Sequence, residues 1–171
     1  MTDPALAIDR MPSPIGDIVI VTDDTSLLVV EFDDGDGRIE AHLTRHFPNR
    51  PLVPTRDPLG MTSRMAAYLG GDMAAFNGVK VAPTGTEFQR GVWLALRDIP
   101  AGSTESYRDL ANRVGRSKGF RAIGMANSRN PIAVVLPCHR VIGADGTLTG
   151  YAGGLDRKAW LLKHEGASFR G

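Results

Sequence analysis

The sequence contains a single cysteine, Cys138, among its 171 residues. One cysteine excludes an internal disulfide framework and a cysteine-rich zinc site, and it is typical of proteins from reducing compartments. No apolar run approaches the ~20 residues that span a bilayer, and Met1–Arg10 lacks the apolar segment of a secretory signal. These absences predict a cytoplasmic protein with no membrane partner.

Acidic and basic residues are separated along the chain. Residues 1–85 contain 7 basic and 12 acidic residues, a net charge of −5, and residues 86–171 contain 13 basic and 7 acidic residues, a net charge of +6. A basic half favours contact with a polyanion, although ordinary surface charge can segregate in the same way. Turn formers cluster at Ala82–Gly85, so we expect two domains, residues 1–83 and 84–171.

The first half has the pattern of a small α/β domain. Runs rich in valine, isoleucine and leucine predict a β-hairpin, and apolar residues at helical spacing predict two helices. The hairpin strands are expected at Ile15–Thr22 and Ser26–Asp33, the helices at Gly37–Phe47 and Pro58–Leu69, and a last short strand at Val79–Val81.

His42 and His46 stand one helical turn apart, a spacing that metal sites use. A third ligand does not follow nearby in the sequence, so we interpret both histidines as solvent-facing polar side chains. We therefore expect no metal and no cofactor.

The second half begins with a series of helix signals. Thr86 and Gln89 have the spacing of a capping box, which predicts a helix start, and Pro100–Gly102 would end that helix. Ser106 is expected to cap a second, short helix that stops at Gly115.

A third helix is predicted from Phe120 towards Arg129. Two short helices joined by a glycine-containing turn predict a helix-turn-helix, although helix pairs of this size also occur without any role in DNA binding. Six basic residues on or beside this pair favour a DNA contact; they are Arg108, Arg113, Arg116, Lys118, Arg121 and Arg129.

The lone cysteine follows an apolar run. Ile132–Leu136 is rich in β-branched residues and predicts a buried strand, which Pro137 would end because proline lacks an N–H. Cys138 would then lie at a strand end beside His139, and a neighbouring base can convert a thiol into the nucleophilic thiolate. A lone cysteine is also often a small apolar core residue, so the residues alone leave both interpretations open.

Two features follow the cysteine. Thr149–Gly154 is a glycine-rich loop, which lets the backbone approach a planar ligand, and it lacks the Lys-Ser/Thr pair of a phosphate-binding loop. The last predicted helix, Leu155–Glu165, ends on a carboxylate that the helix dipole disfavours. A specific partner for Glu165 would explain this position, and an exposed terminal charge is the alternative.

Residues Pro137–Val141, PCHRV, resemble the active-site signature of the O6-alkylguanine-DNA alkyltransferases, also called methylated-DNA–protein-cysteine methyltransferases. The resemblance extends over Thr86–Gly166 in the segments TEFQRGVWLAL, IPAGSTESYRDLA, RAIGMANSRNP and PCHRVIGADGTLTGYAGGLDRKAWLLKHEG. The first half resembles the smaller domain of that family only loosely. It lacks the cysteines of the structural zinc that some members bind there.

The resemblance implies an α/β (α+β) fold class. A small N-terminal mixed α/β domain would carry the β-hairpin and have a structural role. A mainly helical C-terminal domain would contain a winged-helix-like helix-turn-helix and carry both DNA binding and alkyl transfer.

The resemblance also implies DNA repair by direct reversal. The alkyl group of O6-alkylguanine in double-stranded DNA, and that of O4-alkylthymine, would pass irreversibly to Cys138 after the base is flipped out of the duplex. Each molecule would act once, as a suicide methyltransferase. A monomer is expected, and cooperative binding along DNA is left open.

Catalytic roles carry over from the resemblance residue by residue. Cys138 is the nucleophile, His139 acts on it through a bound water, and Glu165 orients His139. Tyr107 donates a hydrogen bond to the flipped base and assists the leaving guanine.

Binding roles carry over in the same way. Arg121 would fill the gap left in the base stack, and Asn130 would tie the helix-turn-helix to the active-site turn. The backbone at Cys138 and Val141 would read the exocyclic amine, and the amide of Ala152 would read O6. Further DNA contacts are expected from Arg108, Arg116, Lys118 and Arg129, and the pocket is expected to include Val141, Tyr151, Ala152 and Gly153.

The chain departs from the family pattern in the residues Lys118, Gly119 and Phe120, since a small residue often precedes the arginine. Ala152 replaces a loop serine of some relatives. Two other functions are possible for this sequence. One is a protein that binds DNA lesions without chemistry, and the presence of Cys138 argues against it. The other is a Cys-His hydrolase, and the basic helix-turn-helix argues against that.

Overall fold

The computed structural model describes residues 3–116 and 119–171. The chain divides into two compact units, the first ending at Thr84 and the second spanning Gly85–Gly171. The first unit is built on a sheet and the second is mainly helical, in agreement with the expected fold class. Among the described residues, no helix has the length and apolar character that crossing a bilayer requires.

The first unit contains a four-stranded sheet in the order β3-β2-β1-β4. Its strands are β1 Leu6–Met11, β2 Ile18–Thr22, β3 Leu27–Phe32 and β4 Leu52–Pro54. The pairs β1–β2 and β2–β3 are antiparallel, and β1–β4 is parallel. Every residue of β2 is buried, which explains the apolar run of its first four residues, Ile18 to Val21.

The predicted hairpin is confirmed as β2 and β3. The sequence did not predict β1 or β4, because β1 mixes Asp9 and Arg10 with apolar residues and β4 is an exposed edge strand that ends in proline. The strand expected at Val79–Val81 is reduced to a single bridge between Val81 and Leu27.

Two helices belong to the first unit. Helix α1, Arg38–His46, packs Ile39 and Leu43 against one face of the sheet, as its apolar spacing predicts. Helix α2, Met61–Leu69, follows a 3-10 turn at Pro58–Gly60 rather than starting at Pro58. Gly60, rather than the predicted Asp57, is the N-cap of α2. The carboxylate of Asp57 accepts hydrogen bonds from the N–H and the hydroxyl of Ser63, in the first turn of α2.

The second unit contains four helices and a two-stranded parallel sheet among its described residues. The helices are α3 Glu87–Ala95, α4 Tyr107–Arg113, α5 Phe120–Ser128 and α6 Leu155–His164, and the strands are β5 Glu105–Ser106 and β6 Val141–Ile142. The capping box of Thr86 with Gln89 and the Ser106 cap are both present. Helices α4 and α5 pack together as the predicted helix-turn-helix. Lys118 lies outside the described residues.

The predicted strand at Ile132–Leu136 is wrong. These residues are buried, as expected, but they form tight turns, and Val134 has a φ of 71°. The side chain of Asn130 accounts for the difference, because its Oδ1 accepts from the N–H of Ile132 at 3.0 Å and its Nδ2 donates to the carbonyl of Leu136 at 2.7 Å. This side chain and the hydrogen bonds within the run, from Val135 to Ala133 and from Leu136 to Ile132, take the place of a neighbouring strand.

The interpretation of His42 as solvent-facing is also wrong. Its ring lies 4.5 Å from that of His46, and its Nε2 is buried without a hydrogen-bond partner among the described residues. Burial lowers the pKa of His42 to about 4, so the imidazole is neutral at pH 7. In the described part of the chain, no group of three metal-binding side chains comes together.

Protonation of His42 should destabilise the first unit. Between pH 6.5, its ordinary pKa, and about 4, its pKa in the folded chain, only the unfolded chain binds the proton. The free energy of unfolding should therefore fall as the pH decreases through that interval. Allowing for partial exposure, we expect a loss of about 1–2 kcal/mol.

The measurement is hydrogen exchange of the β2 and β3 amides at neutral and acidic pH. His42→Leu should remove this part of the pH dependence. An identical pH dependence in the two proteins would show that His42 does not couple protonation to folding.

Candidate active site

Cys138 begins a single 3-10 turn, Cys138–Arg140, in the second unit. The N–H of Cys138 donates to the carbonyl of Leu136 at 2.8 Å, and the N–H of Arg140 donates to that of Pro137 at 3.0 Å. Cys138 forms no disulfide and is only 6% exposed. A thiol held in this way reacts with a group that is brought to it rather than with bulk solvent.

His139 and Arg140, the other two residues of the turn, converge on Glu165. Nε2 of His139 lies 2.9 Å from Oε2 of Glu165, and Arg140 donates to both carboxylate oxygens, each at 2.8 Å. Arg140 also donates to the carbonyl of Ile99 at 2.6 Å. The side chains of His139 and Glu165 are fully buried. The specific partner that the position of Glu165 suggested is therefore this pair.

The charges within this cluster follow from the contacts. Burial acts to raise the pKa of Glu165, but the hydrogen bonds from Arg140 and His139 hold that pKa well below its usual range. Burial lowers the pKa of His139 and outweighs the effect of Glu165. The cluster thus contains an ionised carboxylate, a guanidinium and a neutral imidazole.

These charges fix the tautomer of His139. An ionised carboxylate only accepts hydrogen bonds, so the proton of the neutral imidazole must lie on Nε2, facing Glu165. Nδ1 of His139 then carries a lone pair, and it has no hydrogen-bond partner among the described residues. His139 can therefore accept a proton at Nδ1, which is what a general base for a neighbouring thiol requires.

Tyr107, the first residue of α4, lies near the same site. Its hydroxyl donates to the carbonyl of Thr149 at 3.3 Å, and its ring centroid lies 5.9 Å from Nζ of Lys158. Burial raises the pKa of Tyr107, and the nearby Cys138 acts in the same direction. The phenol is therefore protonated at neutral pH and can donate a hydrogen bond.

Lys158 was not among the residues that the sequence singled out. Its side chain is fully buried, and Nζ donates to the carbonyls of Val141 at 2.6 Å, Thr149 at 2.7 Å and Gly150 at 3.3 Å. It thus fastens β6 and the glycine-rich loop to α6. Burial lowers the pKa of Lys158 to about 8. The sequence contained one signal that could have identified Lys158, namely a lysine on the apolar face of the last predicted helix.

Two buried asparagines bind the turn at Cys138–Arg140, which we call the nucleophile turn after the predicted role of Cys138. Asn130 binds the backbone that leads into the turn, as described above. Asn127, on α5, donates from Nδ2 to the carbonyl of Cys138 at 3.2 Å. The sequence singled out Asn130 but missed Asn127, which lies in the same motif.

The other residues predicted to line the pocket follow the Cys138–Arg140 turn in the sequence. Val141 is fully buried and directly follows the turn. Tyr151 is half-buried, Ala152 is exposed and Gly153 is half-buried in the loop that precedes α6. Arg157 donates to the carbonyl of Gly153 at 3.2 Å, which anchors the end of this loop.

Exposed arginines mark the helix-turn-helix. Arg121 and Arg129 lie on and just after α5, and both are exposed. The guanidinium of Arg108 lies 5.7 Å from the ring of Phe120, and that of Arg116 lies 5.2 Å from the ring of Phe88.

Arg113 differs from the other arginines. It donates to both carboxylate oxygens of Glu105 at 2.7 and 2.8 Å and lies 3.4 Å from Asp98. Its charge is neutralised within the protein, so it contributes little to the basic surface that the sequence suggested.

Comparison with known proteins shows the family to which the chain is similar. Residues 87–167 match the family model described as 6-O-methylguanine DNA methyltransferase, DNA binding domain. The methylated-DNA–protein-cysteine methyltransferase of Salmonella typhimurium is 43% identical over 161 residues, which cover 92% of this chain and 94% of the relative. The protein of that name from Methanosarcina acetivorans is 46% identical over 155 residues, covering 91% and 95%.

Solved structures show the same similarity. O6-methylguanine methyltransferase of Mycobacterium tuberculosis superposes with a TM-score of 0.80 at 34% identity, covering 94% of this chain and 93% of that chain. The same organism's OGT in complex with DNA also gives a TM-score of 0.80, at 36% identity, covering 94% and 92%.

The helix-turn-helix and the matched family model together define a DNA-binding protein. The chain belongs to the methylated-DNA–protein-cysteine methyltransferase family.

The contact between Arg140 and Glu165 should dominate the stability of the second unit. Glu165→Gln leaves the buried guanidinium without its counter-charge, so we expect a loss of about 3–5 kcal/mol in the free energy of unfolding. The measurement is denaturant unfolding followed by the fluorescence of Trp93, which is buried in this unit.

A double variant tests whether the lost stability comes from leaving the charge of Arg140 unpaired. Arg140→Met combined with Glu165→Leu removes both charges and should lose less stability than Glu165→Gln alone. A single variant that loses less than about 1 kcal/mol would contradict the assignment.

Proposed function

We propose that this protein repairs DNA by transferring the alkyl group of O6-alkylguanine, in double-stranded DNA, to Sγ of Cys138. The observation that carries the proposal is the buried cluster of Cys138, His139, Arg140 and Glu165, which Asn127 joins to α5 of the helix-turn-helix. Family membership supports the same conclusion. O4-alkylthymine is the second substrate we propose.

The reaction begins when the damaged nucleotide leaves the duplex, since the alkyl group is otherwise inaccessible. Nδ1 of His139 takes the thiol proton through a bridging water, and Glu165 stabilises the resulting imidazolium. Sγ of Cys138 attacks the alkyl carbon, an S–C bond forms, and the C–O6 bond breaks with its electron pair left on guanine. A hydrogen bond from Tyr107 stabilises the leaving base.

The product explains why each molecule acts once. The thioether on Cys138 is a stable bond, and none of the groups around it is a nucleophile suited to remove the alkyl group. Cys138 must also be a reduced thiol before the reaction, which suits a cytoplasmic protein.

The DNA interface consists of α4, α5 and the turn between them. We assign Arg121 to the space that the extruded nucleotide leaves, and Arg108, Arg116 and Arg129 to the phosphates, because all four are exposed. Lys118 is assigned to the phosphates from its sequence position alone. Arg113 is excluded from this set by its ion pairs.

The two units have different roles in this proposal. The protein acts as a monomer. Its basic second unit binds DNA and carries out the transfer. The acidic first unit is structural, since it holds no catalytic group that the proposed reaction requires.

Mass spectrometry tests the nucleophile. After incubation with a duplex that contains O6-methylguanine, the protein should carry one added methyl group, and peptide mapping should place it on Cys138. Cys138→Ser should bind the same duplex with similar affinity and acquire no methyl group, because an alcohol is a far weaker nucleophile. Methyl transfer to the serine variant at the normal rate would refute the assignment.

Two substrates separate DNA handling from chemistry. Arg121→Ala should slow the reaction with O6-methylguanine in a duplex by about 10-fold or more, because extruding a nucleotide costs a few kcal/mol that the arginine helps to offset. The reaction with free O6-benzylguanine should stay within about 2-fold, since no base has to be extruded.

Arg45→Ala, an exposed arginine of the acidic first unit, is the matched control and should leave both rates unchanged. Equal losses on both substrates for Arg121→Ala would show that Arg121 supports the pocket or the fold instead.

A further inference from the structure

We propose that Phe120, the first residue of α5, stacks its ring on a base next to the nucleotide that the protein extrudes. Arg121 follows it in the sequence and fills the space that the nucleotide leaves. This inference rests on the proposed function. It adds an aromatic contact with the bases to an interface that otherwise consists of arginines.

Helix α5 exposes two large apolar side chains. Phe120 is 41% exposed and Met125 is 56% exposed. In the rest of the second unit, as far as the structure describes it, exposed apolar side chains of this size occur singly, Leu94 on α3 and Leu155 on α6. A single exposed apolar residue is ordinary on a protein surface, whereas two on one short helix favour a binding surface.

Helical geometry places both side chains beside Arg121. Successive residues of a helix are turned by about 100°, so Met125 lies one turn after Arg121 on nearly the same face. Phe120 lies on the other side of Arg121, in the first turn of the helix. The opposite face of α5 is buried and carries Ile123, Ala126 and Asn127. The outer face of α5 is therefore apolar as well as basic.

The charges around this face identify DNA as its partner. Arg108, Arg116, Arg121 and Arg129 are exposed on or next to the helix-turn-helix, and they attract a polyanion. Phosphates bind arginines but give an exposed aromatic ring no advantage, because a ring gains free energy only when it is covered by apolar surface. In DNA that surface belongs to the bases and sugars. The matched family model is that of a DNA-binding domain.

Arg108 gives the ring of Phe120 a preferred orientation. The guanidinium of Arg108, on α4, lies over this ring at 5.7 Å from its centroid. A cation over an aromatic face is attracted to it, so the contact links the ring to the other helix of the pair. A ring that is already oriented loses little conformational freedom on binding. Apolar side chains of other DNA-binding proteins insert between bases in this way.

Extrusion of a nucleotide creates the need for such a ring. The bases next to the extruded nucleotide lose a stacking partner, which is part of the cost of extrusion. An aromatic side chain replaces the lost partner, since every base has a face on which a ring can stack. Phe120 and Arg121 are consecutive residues, so one covers a neighbouring base while the other fills the space.

Rates on two substrates test the inference. Phe120→Ala should slow the reaction with O6-methylguanine in a duplex by about 10-fold, the size expected for one lost stack between a base and a ring. The reaction with free O6-benzylguanine should stay within about 2-fold, since no base is extruded. Phe120→Tyr keeps the flat ring and should keep the duplex rate. Phe120→Leu keeps only the apolar character, so its duplex rate should fall between those of the other two variants.

A series of duplexes identifies the base on which the ring stacks. Each duplex carries an abasic site at one of the positions around the lesion, namely the two flanking nucleotides and the three nucleotides opposite. At one position the loss caused by Phe120→Ala should shrink to less than about 3-fold, because no base remains for the ring to cover. The same loss in every duplex would contradict a contact with a base.

A role limited to orienting Arg108 towards a phosphate predicts a different result. Phe120→Ala would then flatten the dependence of DNA affinity on salt concentration, as Arg108→Ala should, because one phosphate contact is lost. Stacking on a base releases no counterion, so we expect the salt dependence of Phe120→Ala to match that of the unaltered protein. A flatter dependence would overturn the inference.

Leu94→Ala is the matched control, because it removes a similarly exposed apolar side chain from α3. It should change neither the duplex rate nor the salt dependence.

Two further outcomes count against the inference. Equal losses on the duplex and on free O6-benzylguanine would show that Phe120 supports the fold, and an unchanged or faster duplex rate in Phe120→Ala would show that the ring gives no help in extrusion. The proposed function fails in a different way, in which the unaltered protein itself does not react with O6-benzylguanine.

Discussion

The active site depends on the ionised carboxylate of Glu165 and its hydrogen bonds with Arg140 and His139. It lies at the C-terminal end of α6, where the helix dipole opposes a negative charge. Arg140 supplies the compensating charge, and the remaining lone pairs of the carboxylate fix the ring of His139. A single buried group therefore joins the last helix to the nucleophile turn and also sets the tautomer of the base.

Side chains, rather than sheet partners, hold the backbone around Cys138. Asn130 hydrogen-bonds to both ends of the apolar run before the turn, and Asn127 donates to the carbonyl of Cys138. Lys158 donates to carbonyls of β6 and of the glycine-rich loop. The two asparagines lie on α5 and just after it, and the lysine lies on α6. The nucleophile is consequently positioned by several elements at once, and one of them, α5, belongs to the proposed DNA interface.

The features that could be predicted from the sequence depend on local contacts or on a resemblance. The capping box of Thr86 and Gln89 acts within one helical turn, so four residues are enough to predict it. Ile132–Leu136 has the composition of a strand, but turns within the run and the side chain of Asn130 pair its backbone groups. The apolar pattern of the run does not indicate these contacts. The burial of Lys158 and the ion pairs of Arg113 depend on contacts with other elements of the fold, and composition does not indicate them.

The packing of Cys138 has a consequence for how such a protein serves the cell. A catalyst that turns over must release its product, so its site has to reopen in every cycle. A protein that keeps the alkyl group has no such step, so its nucleophile can be held by contacts on all sides. Repair capacity is then set by the number of molecules present, and synthesis of new protein takes the place of turnover.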